Sequence, residues 1–557
     1  MASHFKWYPS DSEVVVPFNA RYSFPSQANK AVKMTPRIPP KSGSTFVPGD
    51  VIRLEFPAQG YVNPVNTTLE FDVQLFDWSG TTANITRIQN NVQSIFSRVR
   101  LLYGATPIED IINYNVIVRA LTEWTGTTQI GTMDQTSIAD GIGGVVFGLE
   151  GPKAAKATPS RQGLVNIRQA YIQGFDGSSN AYADDLVEGT DIQDVNKKCT
   201  AGVGFGAVPN QFTADGRNYT VRRYQVNLAL GVFTQEKLIP TKFMASQLAI
   251  ELTLETAAGC LFTITNANTV GERPTYKITN VNLIPEILEF DASYDAMFLK
   301  GLQEGGVPIK FSSWHTYRFG TGGAANLNLQ IQERSRSVKA LFAVQRRDPV
   351  SIQADSGALL MCSNAGDSGS ANTLQSYQFR IGGRYFPAAP VQVSLSTGSS
   401  VSNGGAEAYV ELQKALNIVG DYRLSTGVNS NRWAIAPFNA TVSSGDYVSI
   451  YSEFDYGPAI IGFESTGMVR HSYITLPHAT TGNCFSGNLG SQCFAMAIDL
   501  ETSNGVEISG LNAEEQSDIS LIATYAGAQR TEFAMEVYAY YDAMLILREN
   551  NVLELIQ

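Results

Sequence analysis

The sequence predicts an all-β chain built from two large tandem units. Three observations predict it: a low-charge, aromatic-rich composition, runs of alternating apolar and polar residues through both halves, and short echoes almost 250 residues apart. Hydrophobic residues make up 43% and charged residues 16% of the chain, with 24 Tyr and 28 Phe. Aromatic and β-branched side chains pack well on pleated sheets, and so apolar a chain buries enough surface to fold. At 557 residues it exceeds what one core sustains, so at least two domains of roughly 200–250 residues are expected.

Residues 1–45 read as an extended arm. Six prolines, at 9, 17, 25, 36, 39 and 40, favour an extended path over helix. From Phe46 the pattern becomes strand-like. In 51–59 Ile52, Leu54 and Phe56 fall on one side; in 67–78 Leu69, Phe71, Val73 and Leu75 do the same. Period-two alternation marks strands with one buried face. Residues 94–104 give a further strand. In 107–124, Pro107 at a first-turn position, the acids behind it and the spacing of Ile108, Ile111, Ile112, Asn115 and Arg119 predict a helix. Residues 125–219, rich in Gly, Asp, Ser, Asn and Thr, are too long for a connector and read as elaborated loops. Strands resume at 225–233, 246–256 and 275–290.

The second half repeats the plan. Residues 307–319, 336–346, 377–387, 446–454, 493–502, 518–527 and 532–547 are strand candidates. Residues 406–420 read as a helix with Ala408, Leu412, Ala415, Leu416 and Val419 on its apolar face. Leu254-Glu255-Thr256 recurs as Leu500-Glu501-Thr502, and Tyr294-Asp295-Ala296-Met297 recurs as Tyr541-Asp542-Ala543-Met544. The two echoes have nearly the same offset, which implies one ancestral unit used twice. A looser echo joins Tyr103–Pro107 to Phe386–Pro390. Each unit then holds about eight strands and a crossover helix. The expected fold is all-β: two tandem eight-stranded jelly rolls with short helices in crossover loops. The division is an arm at 1–45, a first jelly roll at 46–300 with long loops at 125–219, and a second at 301–557.

The net charge is −11, so the body is not built to wrap nucleic acid. The arm differs: Lys6, Arg21, Lys30, Lys33, Arg37 and Lys41 face only Asp11 and Glu13. These six cations are the candidate contact residues, for an inner surface, a genome or a neighbouring chain; tethering to a neighbour is favoured over DNA. Five scattered cysteines do not form a secreted disulfide framework. Cys484 and Cys493 flank a Gly-rich turn and could pair, although buried free thiols are favoured. There is no apolar signal core or bilayer-length apolar run, so the chain is expected to be soluble and to fold in a reducing compartment. The Asn-x-Thr sequons at Asn66, Asn84, Asn218 and Asn439 then read as coincidental.

Catalytic and metal chemistry find little purchase. Gly366-Asp367-Ser368-Gly369 resembles the surroundings of a protease nucleophile, but His4 and His315 upstream lie in no protease-like context. His471 and His478 are seven apart, which suits neither a helix nor a zinc site. Gly202-Val-Gly-Phe-Gly206 lacks the helix and acid of a dinucleotide fold. The acidic run Asp176, Asp184, Asp185, Glu188, Asp191 and Asp194 reads as a solvated outer loop, with calcium at a subunit junction as the alternative. No catalytic residue, metal or cofactor is expected, and the chain is not read as an enzyme.

Three segments carry a family resemblance. Residues 93–121 (QSIFSRVRLLYGATPIEDIINYNVIVRAL), 237–255 (KLIPTKFMASQLAIELTLE) and 537–556 (VYAYYDAMLILRENNVLELI) resemble, in order and spacing, double jelly-roll major capsid proteins of the polinton-like virus and virophage group, in the adenovirus-like tailless double-stranded DNA virus lineage. The likeness covers most of 46–556 but neither the arm nor 125–219. It implies a homotrimer, a pseudo-hexameric capsomer tiling an icosahedral shell, and an arm on the inner side that touches minor capsid proteins, a membrane or the genome. Penton and cement proteins are the implied partners, and the virion is the implied location, after assembly inside the host cell. A carbohydrate-binding β-sandwich protein and a viral spike or penton component are the competing readings. The first is normally secreted, and no localised carboxylate pair favours a glycosidase; the second is usually a single jelly roll.

Overall fold

The structure is a computed structural model. It describes residues 31–76, 86–88, 92–125, 145–150, 161–166, 211–214, 217–263, 274–303, 305–347, 374–393, 395–397, 400–402, 405–418, 441–442, 447–451, 461–463, 473–477, 482–483, 494–501, 509–514, 518–527, 533–548 and 553–557.

The first unit contains β1 (Ala31–Met34), β2 (Thr45–Phe46), β3 (Val51–Glu55), β4 (Tyr61–Phe76), β5 (Phe96–Tyr103) and β6 (Thr106–Ile112). Helix α1 (Tyr114–Thr125) follows, then β7 (Arg217–Val226), β8 (Leu248–Leu254) and β9 (Thr275–Phe290). Helix α2 (Ala292–Gln303) leads into the second unit. That unit contains β10 (Val307–Gly320), β11 (Asn326–Ile331), β12 (Val338–Arg347), β13 (Leu374–Ile381) and β14 (Arg384–Gln392), then α3 (Ala406–Ala415). It closes with β15 (Met496–Asp499), β16 (Ile519–Tyr525), β17 (Phe533–Leu547) and β18 (Leu553–Ile556).

Sheet order defines the architecture. With β1 and β2 counted as one interrupted first strand, one sheet of the first unit runs 1-8-3-6 (β1/β2, β9, β4, β7). The facing sheet runs 2-7-4-5 (β3, β8, β5, β6). The second unit repeats both orders, as β10-β17-β12-β15 and β11-β16-β13-β14. All these pairings are antiparallel. Two four-stranded sheets interleaved in this way are a jelly roll, so the chain is a tandem of two eight-stranded jelly rolls. A short helix follows the fifth strand in each unit, at α1 and at α3. The core follows the alternation seen in the sequence: Leu69, Phe71, Val73 and Leu75 of β4 are all buried, as are Ile52 and Leu54 of β3.

Several expectations change. The helix expected over 107–124 begins only at Tyr114, because 106–112 pair with β5 as strand β6. Proline is tolerated there because β6 is an edge strand, and Asn113 turns the chain with a left-handed φ of 52°. The strand expected over 377–387 is two strands, β13 and β14, joined through Gly382 and Gly383 with φ of 56° and 79°. Two positive φ values are what a tight hairpin needs, and glycine adopts them without strain. The strand expected over 225–233 ends at Val226, and Gly231–Thr234 form a helical turn.

The echoes also change meaning. Leu254 ends the seventh strand of its unit, whereas Leu500 follows the sixth strand of the other. Tyr294–Met297 lie in helix α2, whose first turn is capped by Asp291 Oδ1 accepting from Tyr294 N at 3.1 Å. Tyr541–Met544 lie in strand β17. The looser echo marks a true counterpart, the hairpin between fourth and fifth strands, in a shifted register. The duplication therefore rests on strand order and not on the repeated tetrapeptides.

Candidate assembly surfaces and the seam between units

Register gives each unit two distinct ends. In the first unit the end of β4, Phe76, pairs with Tyr219 at the start of β7 and Thr275 at the start of β9. The connections from third to fourth and from fifth to sixth strand leave from this end. At the opposite end Tyr61 pairs with Leu288, and Ala31 enters against Phe290. In the second unit the matching pairs are Arg347 with Phe533 and, opposite, Val307 with Leu547. The end where the arm enters is therefore separate from the end that carries the long insertions.

The two units meet along β6 and β10, with one apolar core running through both. Glu109 of β6 is the central polar group. Its Oε2 accepts from Gly231 N at 2.8 Å and from Ser313 Oγ of β10 at 2.6 Å, and its Oε1 accepts from Val232 N at 2.8 Å. Burial pushes this carboxyl above the ordinary range, against the opposing pull of Ser313, Val232 and Gly231. Gly231 lies so close to β10 that a Cβ would stand 1.9 Å from the Ser312 carbonyl oxygen. Farther along, Trp124 of α1 stacks on Phe342 of β12 with centroids 5.4 Å apart, and Asn113 Nδ2 donates to Glu536 Oε1 at 3.1 Å. Gly231 packs near the start of β10 and Asn113 near the start of β17, so like ends of the two units lie side by side.

A cavity of about 390 Å³ opens at the arm end of this seam, lined by Lys237, Lys310, Lys339, Tyr540 and Asp542 among others. Lys339 Nζ lies 3.1 Å from Glu501 Oε1 and 3.4 Å from Asp542 Oδ1. Burial disfavours its charge, yet Asp542 and Glu501 outweigh burial and hold the ammonium above its usual value. His315 stacks on Tyr541, and its Nδ1 lies 3.1 Å from the buried Glu333. The Glu333 carboxylate also accepts from Ser335 N and Oγ, and burial is outweighed by His315 and Ser335, so it is held below the usual range.

Of the six arm cations, Lys33, Arg37 and Lys41 lie in the described residues; Lys6, Arg21 and Lys30 lie outside them. The described three are committed to the body. Lys33 pairs with Glu286 of β9 at 2.5 Å, Arg37 with Glu70 of β4 at 3.0 Å, and Lys41 with Glu55 of β3. Ile38 and Leu283 exchange two backbone hydrogen bonds of 2.9 Å. Residues 31–46 therefore form a strap along the edge of β9 and supply the first strand of the sheet.

The Gly366–Gly369 motif, His471, His478, the Gly202–Gly206 loop, the acidic run 176–194, and Cys484 and Cys493 lie outside the described residues. Cys260 is buried and free. Among the described residues no group of three or more His, Cys, Asp or Glu side chains could hold a metal, and no helix is long and apolar enough to cross a membrane. Glu109 escaped the sequence reading; its signal was a lone pair of acids, Glu109 and Asp110, inside an otherwise apolar strand.

No family model and no curated protein matches the sequence. Among solved structures, the chain is similar to one from the Sputnik virophage solved by cryo-EM, at 9% identity and TM-score 0.47, covering 98% of this chain and 92% of that one. It is also similar to the mavirus major capsid protein, at 8% identity and TM-score 0.45, over 100% and 94%. The Faustovirus major capsid protein aligns at 10% identity and TM-score 0.41, over 96% and 93%. The double jelly-roll assignment itself rests on the strand order.

Proposed function

We propose that the chain is a major capsid protein, which homotrimerises into pseudo-hexameric capsomers that tile the icosahedral shell of a tailless DNA virus. The observation that carries this reading is the tandem of two jelly rolls of identical strand order, joined side by side with like ends together. Two similar bodies per chain around a three-fold axis give a nearly hexagonal outline, which tiles a surface. The proposed division is an arm at 1–45, a first jelly roll at 46–300 and a second at 301–557. The insertion end would face outward and the arm end inward.

In this reading the protein has a structural role in the virion and no enzymatic one. Its partners are its own copies, penton and minor or cement proteins, and, through Lys6, Arg21, Lys30, Lys33, Arg37 and Lys41, an inner component such as the genome or a membrane. Location follows: the virion shell, after assembly in the host cell. Sedimentation and electron microscopy of purified chain test the reading. Trimers of pseudo-hexagonal outline are expected; a stable monomer that binds glycans on an array would instead establish the carbohydrate-binding alternative.

A further inference from the structure

Each jelly roll has two flanks where its sheets end. Strands one and two form one edge pair and strands five and six the other. The internal seam joins the strand-five flank of the first unit to the strand-one flank of the second, through β6, α1 and β10. Two flanks of the same kinds have no partner within the chain: the strand-five flank of the second unit and the strand-one flank of the first.

Their side chains differ from those in the seam. In β6, Ile108, Glu109 and Ile111 are buried, whereas in β14 Val391 is the one residue fully buried. Tyr385 of β14 is 48% exposed and Val410 of α3 is 41% exposed. Helix α3 occupies the place that α1 holds in the first unit, where Trp124 enters the seam. On the other bare flank, Val32 of β1, Val47 and Val51 of β3 are 60%, 42% and 43% exposed. These five account for more than half of the large exposed apolar side chains of the described residues. Pro387 and Pro390 on β14 lack the N–H that edge-to-edge strand addition would use, so this flank is built to pack by side chains.

We infer that a second copy of this chain occupies these flanks: β14 and α3 of one copy pack against the β1–β3 flank of the next, repeating the internal seam head to tail. The contact is heterologous, with a different surface on each partner, and such contacts close into rings when the rotation permits. This deepens the capsomer reading by naming the joining surfaces, and it rests on that reading for the ring.

Sedimentation velocity on the full chain at tens of micromolar tests it. Tyr385→Asp with Val410→Asp blocks one flank; Val32→Asp with Val51→Asp blocks the other. Each variant alone is expected to run as a monomer with a melting temperature close to that of the wild type. Mixed one to one, the two variants keep one live flank each and are expected to form a dimer that grows no further. If an aspartate pair lowers the melting temperature, Tyr385→Ser or Val51→Ser replaces it, with a weakened oligomer as the expected result. Wild-type assembly that persists in both variants, or variants whose mixture stays monomeric, overturns the inference and leaves the capsomer reading intact. A wild-type chain that is monomeric throughout overturns both.

Discussion

The two jelly rolls share a strand order and differ in how their first strands are held. In the second unit β10 runs beside β17 through fourteen register pairs, from Val307 to Gly320. In the first unit the same position is filled by a strap that touches β9 in three places: Ala31–Met34, Ile38 and Thr45–Phe46. β10 buries Ile309, Phe311, Ser313 and Trp314. The strap's β1 residues are mostly exposed, and its ion pairs reach into water. One topology thus accommodates a strand secured by packing and a strand secured by charge, and the two should fail under different conditions.

The sharpest way to break the packed strand is at Gly231. Gly231→Ala drives a methyl into the Ser312 carbonyl. Overpacking of this kind costs about 1–3 kcal/mol or more, and backbone cannot rotate away; a large drop in melting temperature is expected. Next comes Glu109→Ala, which leaves two backbone N–H groups and the Ser313 hydroxyl without their acceptor. Each orphaned group costs about 1–3 kcal/mol, so denaturant unfolding should show a loss near the top of that range. A single Ser313→Ala removes one donor only and should cost about 1 kcal/mol.

The strap should yield to acid first. Lys41 and Arg53, against the effect of burial, hold Glu55 below its ordinary value; burial at Glu286 is outweighed by Lys33, Asn63 and Asn66, with the same result. A depressed folded-state pKa stabilises above the unfolded pKa, about 4.3, and that stabilisation is lost as pH falls through the folded value. Arg223 and Asn280 likewise hold Asp72 low beside the strap's anchor Glu70. Hydrogen exchange should show protection at Ala31–Met34 and Ile38 falling below about pH 4 while β10 stays protected. Equal loss in both strands would mean that the strap has no opening of its own. The smallest effect is expected from Arg37→Gln, at about 0.2–1 kcal/mol, since Arg37 is exposed.

Strands were the most legible part of the sequence because their alternation is local. Residues 275–290 were read with the bounds that β9 has. Pro107–Ile112 misled because Ile108, Ile111 and Ile112 suit a helix face as well as a bulged edge strand. The echoes misled because a tetrapeptide does not specify its own conformation: Asp291 caps one copy into a helix, and a sixteen-strand register context holds the other in β17. The arm's cations were visible, but their carboxylates at Glu55, Glu70 and Glu286 were not, since only the fold brings them within reach. Glu109 shows the same limit: its donors stand more than 120 residues away.

Helix α2 gives the tandem a kinetic property. Twelve helical residues span about 18 Å, so the second jelly roll is delivered to the first by a short, stiff tether. Docking within the chain then proceeds at the effective concentration of a tethered pair, of order millimolar. In a closed ring made of repeated seams, every second junction is already complete before two chains collide. The order of the assembly reaction is halved, and the dilute early stage of an infection costs far less in waiting time.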